Sequence, residues 1–238
     1  MKKENGENSL PSQLEQQMLI DEYADTIGNN LTDADKAYAL ILDKIIKADM
    51  EPGSLIQERV LMDSLSLGRT PIREALKRLQ VEHFITVSPR RGMFVTPIAI
   101  RDINYIYEVR MELEALVIGL AAQRATAEQV EQLEVLVDEE NLRRLNTPYE
   151  IMDLDREFHF LSYQASQNHF LQADLKRYYF MSQRIWYYGL STMKPIEIGI
   201  REHVDIVAAI KKGNTQLAED AIRKHISNFQ KNIKEHLV

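Results

Sequence analysis

Four side chains in the second half of the chain have the types and spacing of a metal site. Asp155 and His159 are four positions apart, so in a helix they project from one face, one turn above the other. Apolar residues lie at helical spacing from His203 and from His225, which places both histidines on inward helix faces. Three imidazoles and one carboxylate form a donor set for a divalent cation, although each histidine taken singly also fits a hydrogen-bonded core residue.

A second group of side chains suits nucleic acid. Leu67–Val95 predicts a short basic helix, with Thr70 as its N-cap and Pro71 at its first position. Two alternating runs, Phe84–Val87 and Met93–Val95, then predict a hairpin with two arginines at its tip. This order is typical of a winged helix-turn-helix, in which the helix enters the major groove and the wing contacts phosphates or the minor groove.

The elements that position the basic helix precede it. The pattern predicts helices over Ala37–Met50 and Gln57–Leu65, with Val60 and Leu61 inside the second. The inward face of the third helix is predicted to comprise Ile72, Ala75, Leu76, Leu79 and His83. Arginine forks can bridge guanine edges or phosphates, and the best-placed candidates are Arg69, Arg73 and Arg91.

This segment resembles the DNA-binding domain of the GntR family of bacterial transcription regulators. The similarity rests on the runs E-R-x-L, R-T-P-I-R-E-A-L-x-R-L and R-R-G-x-F-V. The resemblance implies further DNA contacts at Arg59, Thr70 and Gly92. Ordinary surface charge is the alternative for Lys77, Arg78 and Arg90, and Glu74 is expected to pair with neighbouring arginines.

After Pro97 the pattern predicts helices joined by short breaks, which indicates an antiparallel all-α bundle. Six are predicted: Ile103–Ala125, Ala127–Leu145, Pro148–Gln167, Phe170–Thr192, Pro195–Lys212 and Thr215–His236. The fold class is therefore mainly α, a winged helix-turn-helix with a small β-hairpin followed by a helical bundle. We expect domains at 33–98 and 101–238, after an acidic leader over 1–32 that is mobile or a loose helix.

The bundle resembles the FCD effector domain of the FadR subfamily, and six helices favour its VanR-like branch. Metal-binding members share Asp-x-x-x-His, a Glu-His pair and a final His. The resemblance therefore implies that Asp155, His159, His203 and His225 are all metal ligands. Zinc is the expected ion, and nickel and manganese also suit the composition. Glu157 and Glu202 are expected to point away from the site.

Arg110 matches an arginine of the family pattern that points toward this pocket. We expect it to bind the far carboxylate of a small organic-acid effector. The alternative is a surface pair between Arg110 and Glu114 along one helix.

Composition limits the classes of protein that remain. The chain has no cysteine, and its net charge of −7 becomes locally positive only over residues 36–100. The first ten residues lack the apolar core of a signal peptide, and no run approaches the length of a membrane span, so we expect a cytoplasmic protein.

These features predict a transcription regulator and not an enzyme. We expect a homodimer, acting as a repressor, that binds a palindromic double-stranded operator and is released or modulated by a small carboxylate at the metal site. The alternative is a metalloenzyme that uses the Asp/His set and carries an appended DNA-binding domain.

Overall fold

A computed structural model describes residues 31–190 and 199–237 of the 238-residue chain. The chain divides between Pro97 and Ile98 into two compact units. The predicted leader over 1–32 lies almost wholly outside the described residues. None of the helices in the described ranges is long and apolar enough to cross a membrane.

The N-terminal unit packs three helices against a small sheet: α1 (Asp33–Ile46), β1 (Leu55–Ile56), α2 (Glu58–Leu65), α3 (Arg69–Val81), β2 (Ile85–Ser88) and β3 (Gly92–Val95). The three strands are antiparallel in the order β1-β3-β2. Thr32 begins α1 through a capping box with Asp35, in which each residue's side chain accepts from the other's backbone N–H. The core comprises the apolar faces of α1 and α3, including Ile41, Leu42, Ile45, Ile72, Leu76 and Leu79.

Several sequence predictions for this unit were wrong in detail. The first helix spans Asp33–Ile46 and not Ala37–Met50, because the capping box precedes the apolar pattern. Thr70 lies inside the first turn of α3, whose N-cap is Gly68 without a side-chain bond. Val60 is 56% exposed, and His83 lies beyond α3 at φ +66°, on the surface.

Gly92 begins the returning strand of the wing. Its φ of +113° falls where L-residues are rare, and a Cβ at this position would meet Leu55 Cδ1 at 3.1 Å. The preceding turn also holds Arg90 at φ +63°. The wing therefore depends on glycine for both backbone conformation and the approach of β1.

The C-terminal unit is helical throughout its described elements. These are α4 (Ile100–Arg124), α5 (Ala127–Leu136), α6 (Glu139–Arg144), α7 (Pro148–Ala165), α8 (His169–Leu190), α9 (Glu202–Lys211) and α10 (Thr215–Leu237). The long helix α4 packs against α7, α8, α9 and α10, and it therefore forms the centre of the bundle. Thr147 begins α7 through a capping box with Glu150, with Pro148 at the first position.

The prediction of six helices was wrong. Ala127–Leu145 is interrupted after Leu136, and Asp138 caps a new helix by accepting from the Asn141 N–H at 2.7 Å. The described part of this unit therefore contains seven helices, and the VanR-like assignment loses its basis. The fifth helix was predicted to begin at Pro195, but residues 199–201 are not helical and α9 begins at Glu202. Residues 195–198 lie outside the described ranges.

Candidate functional site

The four predicted metal ligands converge in the C-terminal unit. Asp155 and His159 come from α7, His203 from α9 and His225 from α10. All four are buried, and one donor atom of each lies within 4.8 Å of the others. The Asp155 Oδ1 atom lies 3.9, 3.3 and 3.9 Å from the Nε2 atoms of the three histidines in chain order.

Two of the separations between these donors match those between zinc ligands, and the others are longer. Ligands about 2.0–2.1 Å from a tetrahedral zinc are separated from one another by roughly 3.4 Å. The Nε2 atoms of His203 and His225 are 3.3 Å apart. Asp155 Oδ1 and His159 Nε2 are buried without a hydrogen-bond partner, a costly arrangement for polar atoms in the absence of a cation.

Three of the four predicted ligands are positioned by contacts with neighbouring side chains on α7, α8 and α9. Tyr179 donates its hydroxyl proton to Asp155 Oδ2 at 2.8 Å, which leaves Oδ1 to face the histidines. The ring of Phe158 stacks on His203 at 3.9 Å between centroids. Glu202 Oε2 lies 3.1 Å from His225 Nδ1, so the prediction that Glu202 points away from the site was wrong.

His159 has a partner that the sequence prediction missed. Glu114 on α4 is fully buried, and its Oε2 lies 2.9 Å from His159 Nδ1. The available signal was a charged residue on the apolar face of α4, four positions after Arg110. That spacing also suits a surface ion pair, and only the packing of α4 against α7 distinguishes the two.

Burial and neighbouring charges displace the pKa values of three of the four predicted ligands. Burial lowers the pKa of His203 and of His225, despite the opposing effect of Asp155, and so favours neutral imidazoles. Burial opposes ionisation of Asp155, but the proximity of the three histidines holds its pKa well below the ordinary value. Neutral imidazoles and an ionised carboxylate are the forms that bind a divalent cation.

Arg110 pairs with Glu114, but the pair is buried and not on the surface as the alternative required. The Nε and Nη2 atoms of Arg110 each lie 2.6 Å from Glu114 Oε1, and the two side chains are 5% and 0% exposed. Burial raises the pKa of Glu114, but Arg110 and His159 outweigh this effect and lower it to about 2.

The same arginine lines a small pocket beside the four predicted ligands. The pocket has space for about one water molecule. Its walls comprise Tyr107, Arg110, Asp155, His159, His225, Ile226 and Phe229.

The predicted DNA contacts lie on the surface of the N-terminal unit. All six are exposed: Arg59, Arg69, Thr70, Arg73, Arg91 and Gly92. Arg73 pairs with Glu58 of α2 at 3.0 Å. The guanidinium of Arg91 lies 5.8 Å from the Phe94 ring centroid, on the wing.

Arg78 has a structural environment that separates it from these residues. Its guanidinium lies 3.7 Å from the Tyr38 ring centroid and pairs with Asp35 and Glu82. It therefore ties α3 to α1.

Comparison with known proteins identifies both units. Residues 33–95 match the family described as "Bacterial regulatory proteins, gntR family", and residues 105–228 match the FCD domain. The Nta operon transcriptional regulator of Aminobacter aminovorans is 32% identical over 159 residues, covering 67% of this chain and 74% of that protein. The HTH-type transcriptional repressor RspR of Escherichia coli is 23% identical, covering 83% and 87%.

A solved structure shares the fold. E. coli McbR/YncC superposes with a TM-score of 0.77 at 19% identity, covering 88% of this chain and 100% of that one. The chain is a DNA-binding transcription regulator that belongs to the GntR family of bacterial regulatory proteins, with an FCD domain C-terminal to its winged helix-turn-helix.

Proposed function

We propose that this regulator is a repressor that binds a palindromic operator as a homodimer and is released by a small organic acid bound at a metal centre. The observation that carries the proposal is the convergence of Asp155, His159, His203 and His225 beside a pocket walled by Arg110. The relatives named above, one of them described as a repressor, support the regulatory part.

In this proposal the four converging side chains hold the divalent cation, with zinc as the expected ion. The cation, when bound, supplies a positive centre that attracts a carboxylate. Arg110 offers a planar, permanently charged fork on the same pocket wall, which suits a second carboxylate of the ligand. A mono- or dicarboxylic acid of small size therefore fits the charge of the site.

The pocket has to widen to admit such a ligand, since its present space is about that of one water molecule. Its walls belong to α4, α7 and α10, so widening changes the packing of these helices. A ligand that favours the wider arrangement shifts the population towards it by its differential affinity. We propose that this shift lowers operator affinity.

On the DNA side, α3 enters the major groove and the wing contacts the backbone or minor groove. Arg69 and Arg73 read base edges or phosphates from α3, and Arg91 contacts DNA from the wing. Arg59, Thr70 and Gly92 complete the contact surface. Two copies of the chain then read the two halves of a palindrome.

The alternative of a metalloenzyme is less well supported. The relatives reported above are described as transcription regulators. The polar groups that line the pocket are three of the predicted ligands, Tyr107 and the Arg110 that pairs with Glu114. Turnover of candidate acids by the zinc-loaded protein would favour the enzyme.

The test begins with selection of binding sites from random double-stranded DNA by the zinc-loaded full-length protein. We expect a palindromic site, a dimer by sedimentation, and release by one of succinate, lactate or glucuronate. His159→Ala with His203→Ala should abolish zinc binding and the response, whereas Arg73→Ala should abolish specific footprinting and retain zinc. Unchanged zinc content and response in the double variant would contradict the proposal.

A further inference from the structure

We propose that Glu114 is a positioning residue of the metal centre and couples the pocket arginine to the ligand His159. This inference rests on the proposed metal site. Glu114 lies on α4, a helix that provides none of the four predicted ligands. Its carboxylate contacts one of those ligands with one oxygen and the pocket wall with the other.

The first contact determines which nitrogen of His159 can bind a cation. Glu114 Oε2 lies 2.9 Å from Nδ1, and this buried oxygen has no hydrogen-bond partner among the described residues. The Tyr163 hydroxyl also approaches Nδ1, at 3.5 Å. A buried carboxylate beside Nδ1 favours the tautomer with the proton there. The lone pair is then on Nε2, the atom that faces Asp155.

The second contact links this histidine to the pocket. Glu114 Oε1 accepts from Arg110 Nε at 2.6 Å, and the same guanidinium lines the pocket. An anion in the pocket would draw Arg110 away from Glu114. The Glu114 carboxylate would then lose part of its charge compensation and shift relative to His159. Ligand binding at the pocket wall and metal binding at His159 are therefore coupled through one carboxylate.

Glu202 provides a matched comparison within the same site. It contacts His225 Nδ1 at 3.1 Å, as Glu114 contacts His159, but its other oxygen accepts from Asn228. Its side chain is 27% exposed, whereas that of Glu114 is fully buried. Glu202 thus positions a histidine without a contact to the pocket arginine among its described partners.

The test measures zinc affinity by competition with a chromophoric chelator on the full-length, EDTA-treated protein. Glu114→Gln should lower the affinity 10- to 100-fold, as loss of an outer-sphere partner of a ligating histidine does. The visible spectrum of the cobalt-loaded variant should change as well, because His159 is no longer held. Glu202→Gln should produce a loss of similar size.

Combination with Arg110→Gln separates coupling from independent effects. Arg110→Gln alone should weaken zinc binding, because Glu114 loses the group that holds it. The double variant with Glu114→Gln should bind no more weakly than Glu114→Gln alone, since the arginine acts through that carboxylate. In the double variant of Arg110→Gln and Glu202→Gln, the factors by which the single substitutions lower zinc affinity should multiply.

Two results would overturn the inference. One is a Glu114→Gln protein with unchanged zinc affinity and cobalt spectrum. The other is an Arg110→Gln substitution that lowers zinc affinity by the same factor in the unsubstituted protein and in the Glu114→Gln variant. The double Arg110/Glu114 variant replaces a buried ion pair with two neutral amides, and a metal-free melting curve checks that it folds. Failure of the unsubstituted protein to bind zinc would instead overturn the proposed function.

Discussion

At the scale of single residues, the arrangement of the predicted ligands depends on the neighbours that contact each of them. Asp155 has one oxygen bonded to Tyr179 and the other turned to the histidines. Of the three histidines, His159 contacts a buried carboxylate, His203 stacks on an aromatic ring and His225 contacts a second carboxylate. Such partners restrict each donor to one orientation, which lowers the cost of binding a cation.

Tyr179→Phe tests this role of the hydroxyl. The change should lower zinc affinity about tenfold, because Asp155 loses the bond that orients its carboxylate. Chelator competition measures the affinity. Tyr149→Phe is the control, since Tyr149 lies on the same helix as Asp155 but is 57% exposed, and it should bind zinc normally. Equal affinities in the two variants would show that the Tyr179 bond contributes nothing.

The sequence was a good guide to the convergence of these four side chains and a poor one to their neighbours. Asp155 and His159 share a helix, so their juxtaposition follows from a spacing of four residues. Glu114 and Tyr179 come from two other helices, and no local pattern links them to α7. Their role depends on packing between helices.

At the scale of secondary-structure elements, caps and glycines determine where helices and strands begin. The predicted start at Pro148 was correct because the features that begin α7, the Thr147 cap and the first-position proline, are local. The break after Leu136 was missed because the apolar pattern continues through it. The chain leaves the helical conformation after Leu136, and Asp138 then caps the start of α6.

Gly92→Ala should destabilise the wing by about 2 kcal/mol or more, because it adds left-handed strain and a contact with Leu55. Gly53→Ala is the control, since Gly53 has φ +82° but its added Cβ would meet nothing within 4 Å. Its cost should be the backbone strain alone, about 1 kcal/mol. Hydrogen exchange over residues 85–95 and chemical denaturation followed by circular dichroism measure both. A smaller loss in Gly92→Ala than in Gly53→Ala would contradict this account.

At the scale of the whole molecule, the chain comprises two compact units with separate chemistry. The exposed arginines of the first suit DNA, and the buried donors of the second suit a cation. Trp186, the only tryptophan in the sequence, is buried in the second unit. Its fluorescence therefore reports on that unit alone.

Zinc at about 100 times its dissociation constant should stabilise the second unit by about 2.7 kcal/mol and raise its transition by roughly 10 °C. The thermal transition of Trp186 fluorescence measures the shift. His203→Ala should abolish the shift, and Arg73→Ala, in the other unit, should leave it intact. A shift that persists in His203→Ala would place the zinc elsewhere.

The sequence alone determined the two-part architecture, the basic helix and wing, and the four side chains that converge. Capping signals, helical periodicity and a family resemblance over long motifs are properties of local sequence, and they need no knowledge of packing. Only the tertiary structure decided that Arg110 and Glu114 form a buried pair against His159, and that Glu202 turns towards His225. These contacts join helices distant in sequence, so they follow from how the helices pack.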